Sequence, residues 1–203
     1  MYILDTRLYD QYSGFRGSPM DATDTPTLGA LLRRPDLHLR LENGEPAVLE
    51  RPVRWVHSSD LADPTPFLSD GQVLLTTGTQ FQGRDATSAA EYVQRLTARG
   101  VAGLGFGTEV VRDGIPPELA AACRDAGLPL FEVPYRTPFI AVARANAEAI
   151  AAEAFARRTW ALSAQRSIAL AALRPDGLGA TLAELARQLG TWVGLYDAAG
   201  ELM

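Results

Sequence analysis

The chain contains no lysine. All 19 basic residues are arginine, and beside the abundant alanine this reads as genomic composition bias rather than function. Basic charge does not dominate either. Against 24 acidic residues the formal net charge is -5, which argues against this chain gripping a nucleic-acid backbone, because affinity there rests on neutralised phosphates. Cysteine is nearly absent. The single Cys123 excludes an internal disulfide framework and a cysteine-based zinc cluster. It sits in the helix-like run Glu118-Leu119-Ala120-Ala121-Ala122-Cys123, where a small buried hydrophobe is expected. A catalytic thiolate would have Arg124 as its one adjacent basic residue. No apolar run approaches the roughly 18–20 residues that span a bilayer, and no signal-peptide pattern opens the chain. A cytoplasmic location without a membrane partner is expected.

What is present suits a globular protein with a real core: 47% of residues are hydrophobic and 21% charged. The length of 203 residues allows one domain with an appendage, or two small domains. Four short apolar runs stand out, at 53–60, 73–78, 101–108 and 130–135. Each stops in small polar residues or glycine. Helix-period segments fill two of the gaps, over 87–99 with Tyr92, Val93 and Leu96 on one face, and over 116–126. Gly100 and Gly127 follow as stops. This is the pattern of βαβ units in a mostly parallel sheet, and in such sheets ligands bind beyond the carboxyl ends of the strands.

The rest of the chain divides around that core. Residues 1–19 are rich in tyrosine and end in Gly17-Ser18-Pro19 before a second Met; they are expected to be a vector-derived leader, with native translation from Met20. Asp24-Thr25-Pro26-Thr27 offers a cap and an early proline for a short helix through Leu28, Leu31 and Leu32. Asn43-Gly44 between 37–41 and 47–49 signals a β-hairpin. From 139 to 174 there is neither Gly nor Pro, so one long helix or two abutting ones is expected, on the order of 50 Å if continuous. Pro175-Asp176-Gly177 breaks it. Leu178, Leu182, Leu185, Ala186 and Leu189 then repeat at helical spacing, and 192–197 with a turn at Ala198-Ala199-Gly200 begins a hairpin.

Candidate functional residues gather at the strand ends. Gly103-Leu104-Gly105-Phe106-Gly107 has G-x-G-x-G spacing followed by Thr108-Glu109-Val110-Val111, whereas a dinucleotide fingerprint needs G-x-G-x-x-G opening a helix. The glycines therefore serve either close backbone packing or a ligand-lining loop that includes Gly105, Gly107 and Thr108. His57, Ser58 and Asp60 have the residue types of a hydrolase triad, but neighbours on a strand point to opposite faces and cannot converge. Ser58, Ser59 and Asp60 either cap a turn or hydrogen-bond a ligand. Thr76 and Thr77 with Gly78 present two hydroxyls where a strand meets a loop. Tyr135, Arg136 and Thr137 combine an aromatic face with a guanidinium and suit a flat polar heterocycle, an anionic one included. Arg84 and Asp85 read as surface residues. On the long helix, Ala143, Ala147, Ile150 and Ala154 stand at near-heptad spacing, suited to a close helix contact within one chain or between two. Arg157 and Arg158 near Trp160 read as a solvated face.

Several blocks in one order carry a resemblance: Trp55-Val56-His57-Ser58-Ser59-Asp60-Leu61, Asp63-Pro64, Phe67-Leu68, Gly71-Gln72-Val73-Leu74-Leu75-Thr76-Thr77-Gly78, Gly100-Val101-Ala102-Gly103-Leu104-Gly105-Phe106-Gly107, Gly127-Leu128-Pro129-Leu130 and Glu132-Val133-Pro134-Tyr135-Arg136-Thr137-Pro138-Phe139. Residues 27–150 closely resemble the N-terminal domain of the purine-catabolism regulator (PucR) family of bacterial transcription factors. The resemblance implies an α/β ligand-sensing domain, a GAF-like middle domain whose opening matches the tail from Leu178, and a C-terminal helix-turn-helix that this sequence does not contain.

The expected organisation is thus a leader at 1–19, a sensing domain at 20–138, a signalling and dimerisation helix at 139–174, and the start of a GAF-like domain at 175–203. The fold class is α/β, three-layered with a mostly parallel sheet. The expected role is non-enzymatic and needs no cofactor or metal. A small purine-catabolism-like or other nitrogenous metabolite binds among His57, Ser58, Ser59, Thr76, Thr77, Gly78, Gly105, Gly107, Thr108, Tyr135, Arg136 and Thr137. Binding shifts a homodimer and so the DNA affinity of the C-terminal domain. Two other classes stay open: an enzyme acting on a nucleotide or sugar phosphate, and a ligand-free dimerisation module.

Overall fold

A computed structural model describes residues 26–82 and 88–203. The expected leader at 1–19, the capping residues Asp24 and Thr25, and the surface residues Arg84 and Asp85 lie outside the described residues. The described chain forms two compact units, 26–154 and 155–203.

In the first unit the apolar runs become a five-stranded sheet. Its strands are β1 (Arg40–Asn43), β2 (Trp55–Ser58), β3 (Gln72–Thr76), β4 (Gly103–Gly107) and β5 (Leu130–Val133), in the order β1-β5-β4-β3-β2. Strands β2 to β5 run parallel, and β1 joins β5 antiparallel at one edge. The helices are α1 (Leu28–Leu32), α2 (Pro46–Leu49), α3 (Ala89–Ala98), α4 (Pro117–Asp125) and α5 (Phe139–Ala172).

The period of two along each strand sorts the core into two layers. Val56, Val73, Leu75, Phe131 and Val133 pack with Leu28 and Leu31 of α1 and with Val142 and Ala145 of α5. On the opposite face Leu74, Leu104, Phe106 and Leu130 pack with Tyr92, Val93 and Leu96 of α3 and with Leu119 and Cys123 of α4. Each fully buried Leu or Phe contributes about 1.5–3 kcal/mol by leaving water. The rings of Phe81 and Tyr92 close this second layer edge to face, with centroids 5.1 Å apart. Cys123 lies in it fully buried, as expected for a small hydrophobe.

Strand β4 shows why the glycines alternate. Leu104 and Phe106 fill one face, while Gly103, Gly105 and Gly107 leave the other without side chains. A Cβ on Gly103 would stand 2.8 Å from the Leu28 side chain. One on Gly105 would stand 2.5 Å from Leu75 and 2.7 Å from the Phe131 ring, and one on Gly107 2.9 Å from the Phe139 ring. The glycines admit the side chains of α1, β3, β5 and α5 onto the middle of the sheet.

One local expectation is corrected. Asn43-Gly44 does not open a hairpin. Residues Pro46–Leu49 form the short helix α2, and β1 pairs instead with β5, Arg40 opposite Glu132 and Leu41 opposite Phe131. Pro46 has no N–H for a ladder and its fixed φ suits a first helical turn. The Asn43 amide donates to the Leu128 carbonyl at 3.2 Å, which holds the end of β1 beside β5. The early helix is capped by Thr27, whose hydroxyl accepts from the Ala30 N–H at 3.2 Å.

The second unit holds the remainder of α5 and helix α6 (Gly177–Leu189). The Asp176 carboxylate caps α6 by accepting from the Gly179 N–H at 3.3 Å. Ala164 and Ala171 of α5 are buried. The expected terminal hairpin is reduced to an isolated antiparallel bridge between Tyr196 and Leu202. Its turn is held by Asp197, whose carboxylate accepts from the N–H groups of Ala199 and Glu201 at 2.8 and 2.9 Å.

Candidate functional site

The parallel register brings four strand ends to one edge of the sheet: Ser58 lies opposite Leu75, Thr76 opposite Phe106, and Gly107 opposite Val133. After β4 the chain proceeds to α4, on the face of Leu104 and Phe106. After β5 it proceeds to α5, on the face of Phe131 and Val133. Adjacent parallel strands whose connections leave to opposite faces open a crevice between them.

A hollow of about 160 Å³ occupies that crevice, lined by Thr77 after β3, Gly107 and Val110 at and after β4, and Val133, Pro134, Tyr135, Thr137, Pro138 and Phe139 from β5 into α5. Gly107 ends the side-chain-free face of β4, and the Phe139 ring packs over it as one wall of the hollow. The lining is mostly apolar, with polar groups at few points, the usual make-up of a small-molecule site. A dry cavity of about 150 Å³ holds one benzene ring, so this space can seat a single small ring.

Of the expected ligand-contacting residues, Thr77, Gly107, Tyr135 and Thr137 line this hollow. The others have different surroundings. Thr76 is buried and its hydroxyl is fully engaged, donating to Asp60 Oδ1 at 2.7 Å and accepting from the Gly78 N–H at 3.1 Å and the Gln80 amide at 3.0 Å. Gly78 has φ 82°, the left-handed conformation of a tight turn. Its missing side chain leaves room for Phe106, whose ring would be 2.6 Å from a Cβ there. Gly105 lies within the sheet core. Thr108 is buried and donates to Glu132 Oε1 at 2.7 Å. His57, Ser58 and Ser59 sit on and just after β2, the edge strand, away from the lining; the Ser59 hydroxyl caps a turn by accepting from the Leu61 N–H at 3.2 Å. Arg136 is exposed and outside the lining.

Asp60, read from sequence as a turn cap or a ligand contact, organises the edge. Its Oδ1 accepts from the Thr77 N–H at 2.7 Å as well as from Thr76, and its Oδ2 accepts from the Thr77 hydroxyl at 2.6 Å. One carboxylate thus ties the end of β2 to the turn after β3 with three charge-assisted bonds. Val110, Val133, Pro134, Pro138 and Phe139 line the hollow as well, and sequence reasoning did not single them out as ligand contacts. Thr77, Gly107, Tyr135 and Thr137 carried the sequence signal for the hollow, Gly107 as the last member of a period-two glycine series.

A second hollow, of about 410 Å³, is lined by Phe81, Ser88, Ala89, Ala90, Pro116, Glu118 and Leu119, at the amino ends of α3 and α4. Among the described residues no group of His, Cys, Asp and Glu is placed to hold a metal ion, and no helix is long and apolar enough to cross a membrane. Burial pushes the Cys123 thiol up to about 12, away from nucleophilic use.

A family model described as the purine catabolism regulatory protein-like family matches residues 30–150. Among curated proteins, the transcriptional activator PmfR of Paenarthrobacter nicotinovorans is 29% identical over 106 residues, which cover 51% of this chain and 22% of that protein. The matched stretch therefore spans about a fifth of that relative's length. No solved structure matches the chain.

Proposed function

The chain belongs to the purine catabolism regulatory protein-like family, and from that premise we propose that its first unit is the small-molecule-sensing region of a transcriptional regulator. The observation that carries the reading is the hollow between the ends of β4 and β5, whose lining includes Phe139, the first residue of α5. A ligand seated there touches the start of the long helix, so unequal affinity for two placements of that helix would convert binding into signal. The ligand class is a small nitrogenous metabolite, a purine-breakdown product among the options. Transcriptional output and DNA contact belong to a C-terminal helix-turn-helix in the full-length regulator, in the cytoplasm. The tail 175–203 is read as the opening of a GAF-like domain.

Homodimerisation through α5 completes the proposal. Ala143 packs half-buried against the sheet core and so serves the chain's own fold. Ala154 is exposed, as are Phe155 and Leu162, and these positions suit a second helix. An enzyme acting on a nucleotide or sugar phosphate fits poorly, because the lining of the hollow carries no cationic side chain to meet a phosphate.

The test is a thermal-shift screen of this chain with small nitrogenous ring compounds, repeated on Gly107→Val. A stabilising compound in the wild type whose effect disappears in the variant supports the site. Equal shifts in both proteins, with both folded, place the binding elsewhere and refute it.

A further inference from the structure

We propose that the hollow takes an uncharged ring that donates an N–H to the hydroxyl oxygen of Thr77; this rests on reading the hollow as the sensory site. The polarity of the two threonines in the lining is fixed by where their protons already go. The Thr77 hydroxyl donates to Asp60 Oδ2 at 2.6 Å, and the Thr77 N–H donates to Asp60 Oδ1 at 2.7 Å. The Thr137 hydroxyl donates to the Leu37 carbonyl at 2.8 Å, and the Thr137 N–H to the Pro134 carbonyl at 2.8 Å. Pro134 and Pro138 have no N–H to give.

The Thr77 oxygen is therefore turned into an acceptor. A hydroxyl has one proton and two lone pairs; here the proton is committed to Asp60, and the Thr79 hydroxyl 3.1 Å away accounts for at most one lone pair. The remaining lone pair calls for a donor. An anionic ligand would meet the opposite situation. No Arg lines the hollow, and the Asp60 carboxylate is bonded to the Thr77 that does. Removing an anion from water beside a like charge is unfavourable without a paired cation. Arg136, the guanidinium that sequence reading offered for an anion, is exposed outside the lining.

Three probes on one ring test this by calorimetry with the whole 203-residue chain: uracil, 1,3-dimethyluracil, which lacks both N–H groups, and orotate, its carboxylate derivative. Uracil is expected to bind at millimolar concentration, with the other two weaker by about tenfold or more. Thr77→Val should lower uracil affinity to the level of dimethyluracil, whereas Thr77→Ser should retain the preference. Orotate binding as tightly as uracil overturns the proposal on the wild type alone. So does a folded Thr77→Val chain that still prefers uracil. Silence from all three probes overturns the sensory reading of the hollow together with the donor rule.

Discussion

At the scale of single residues, the period-two glycines of β4 separate a packing position, Gly105, from one that lines the hollow, Gly107. Gly105→Ala places a methyl 2.5–2.7 Å from Leu75 and Phe131, both buried, and is expected to cost about 1–3 kcal/mol through overpacking, read as a lower urea midpoint. Gly107→Ala meets only the far end of the Phe139 ring at 2.9 Å. It is expected to leave the midpoint nearly unchanged while reducing ligand binding. Asp60→Ala removes the acceptor of three bonds and is expected to cost about 1–3 kcal/mol. It should also loosen the turn at Thr77, visible as faster amide exchange at that residue.

Cys123 gives a pH test of the core around α4. Its thiol is raised from 9.0 to about 12 by burial. A group whose folded value is raised stabilises fully below its unfolded value. This contribution is therefore complete below pH 9 and is lost as the pH climbs from 9 towards 12. A Cys123→Ala chain should show a shallower fall of stability over that interval, and the native wild type should resist alkylation at pH 8 that the urea-unfolded chain undergoes.

At the scale of elements, the strands and helices of the first unit were legible where hydrophobic period and punctuation agreed. The runs at 73–78 and 130–135 became β3 and β5, and 116–126 became α4 with Pro117 at its first turn. Asn43-Gly44 misled because a local turn signal says nothing about a distant partner: β5 takes β1 as its neighbour, and Pro46 starts a helix. The site was legible only in outline. Which edge of the sheet would carry it followed from the parallel strands. Which strand-end side chains would line it depended on α4 and α5 lying on opposite faces, a tertiary choice that no local pattern encodes. Hence Thr76 and Thr108, both promising hydroxyls, turned out to be bonded within the fold, while Val110 and Phe139 line the hollow. For α5, the exposed Ala154 and Phe155 lead to a separate expectation: Ala154→Glu should shift light-scattering mass towards monomer without changing the melting of the first unit. A wild type that is monomeric at every concentration would assign dimerisation to other parts of the regulator.

At the scale of the whole molecule, membership of a regulator family and a small switch-point hollow at the root of a long helix support the proposal that this region converts metabolite level into helix placement. The charge of -5 argues against this chain gripping a nucleic-acid backbone. The most direct test is native mass spectrometry of the gently purified chain beside its Gly107→Val counterpart. The expected result is a small bound mass on the wild type, released on unfolding and lacking from the variant. A bound mass carried equally by both folded proteins would contradict the placement of the sensor between β4 and β5.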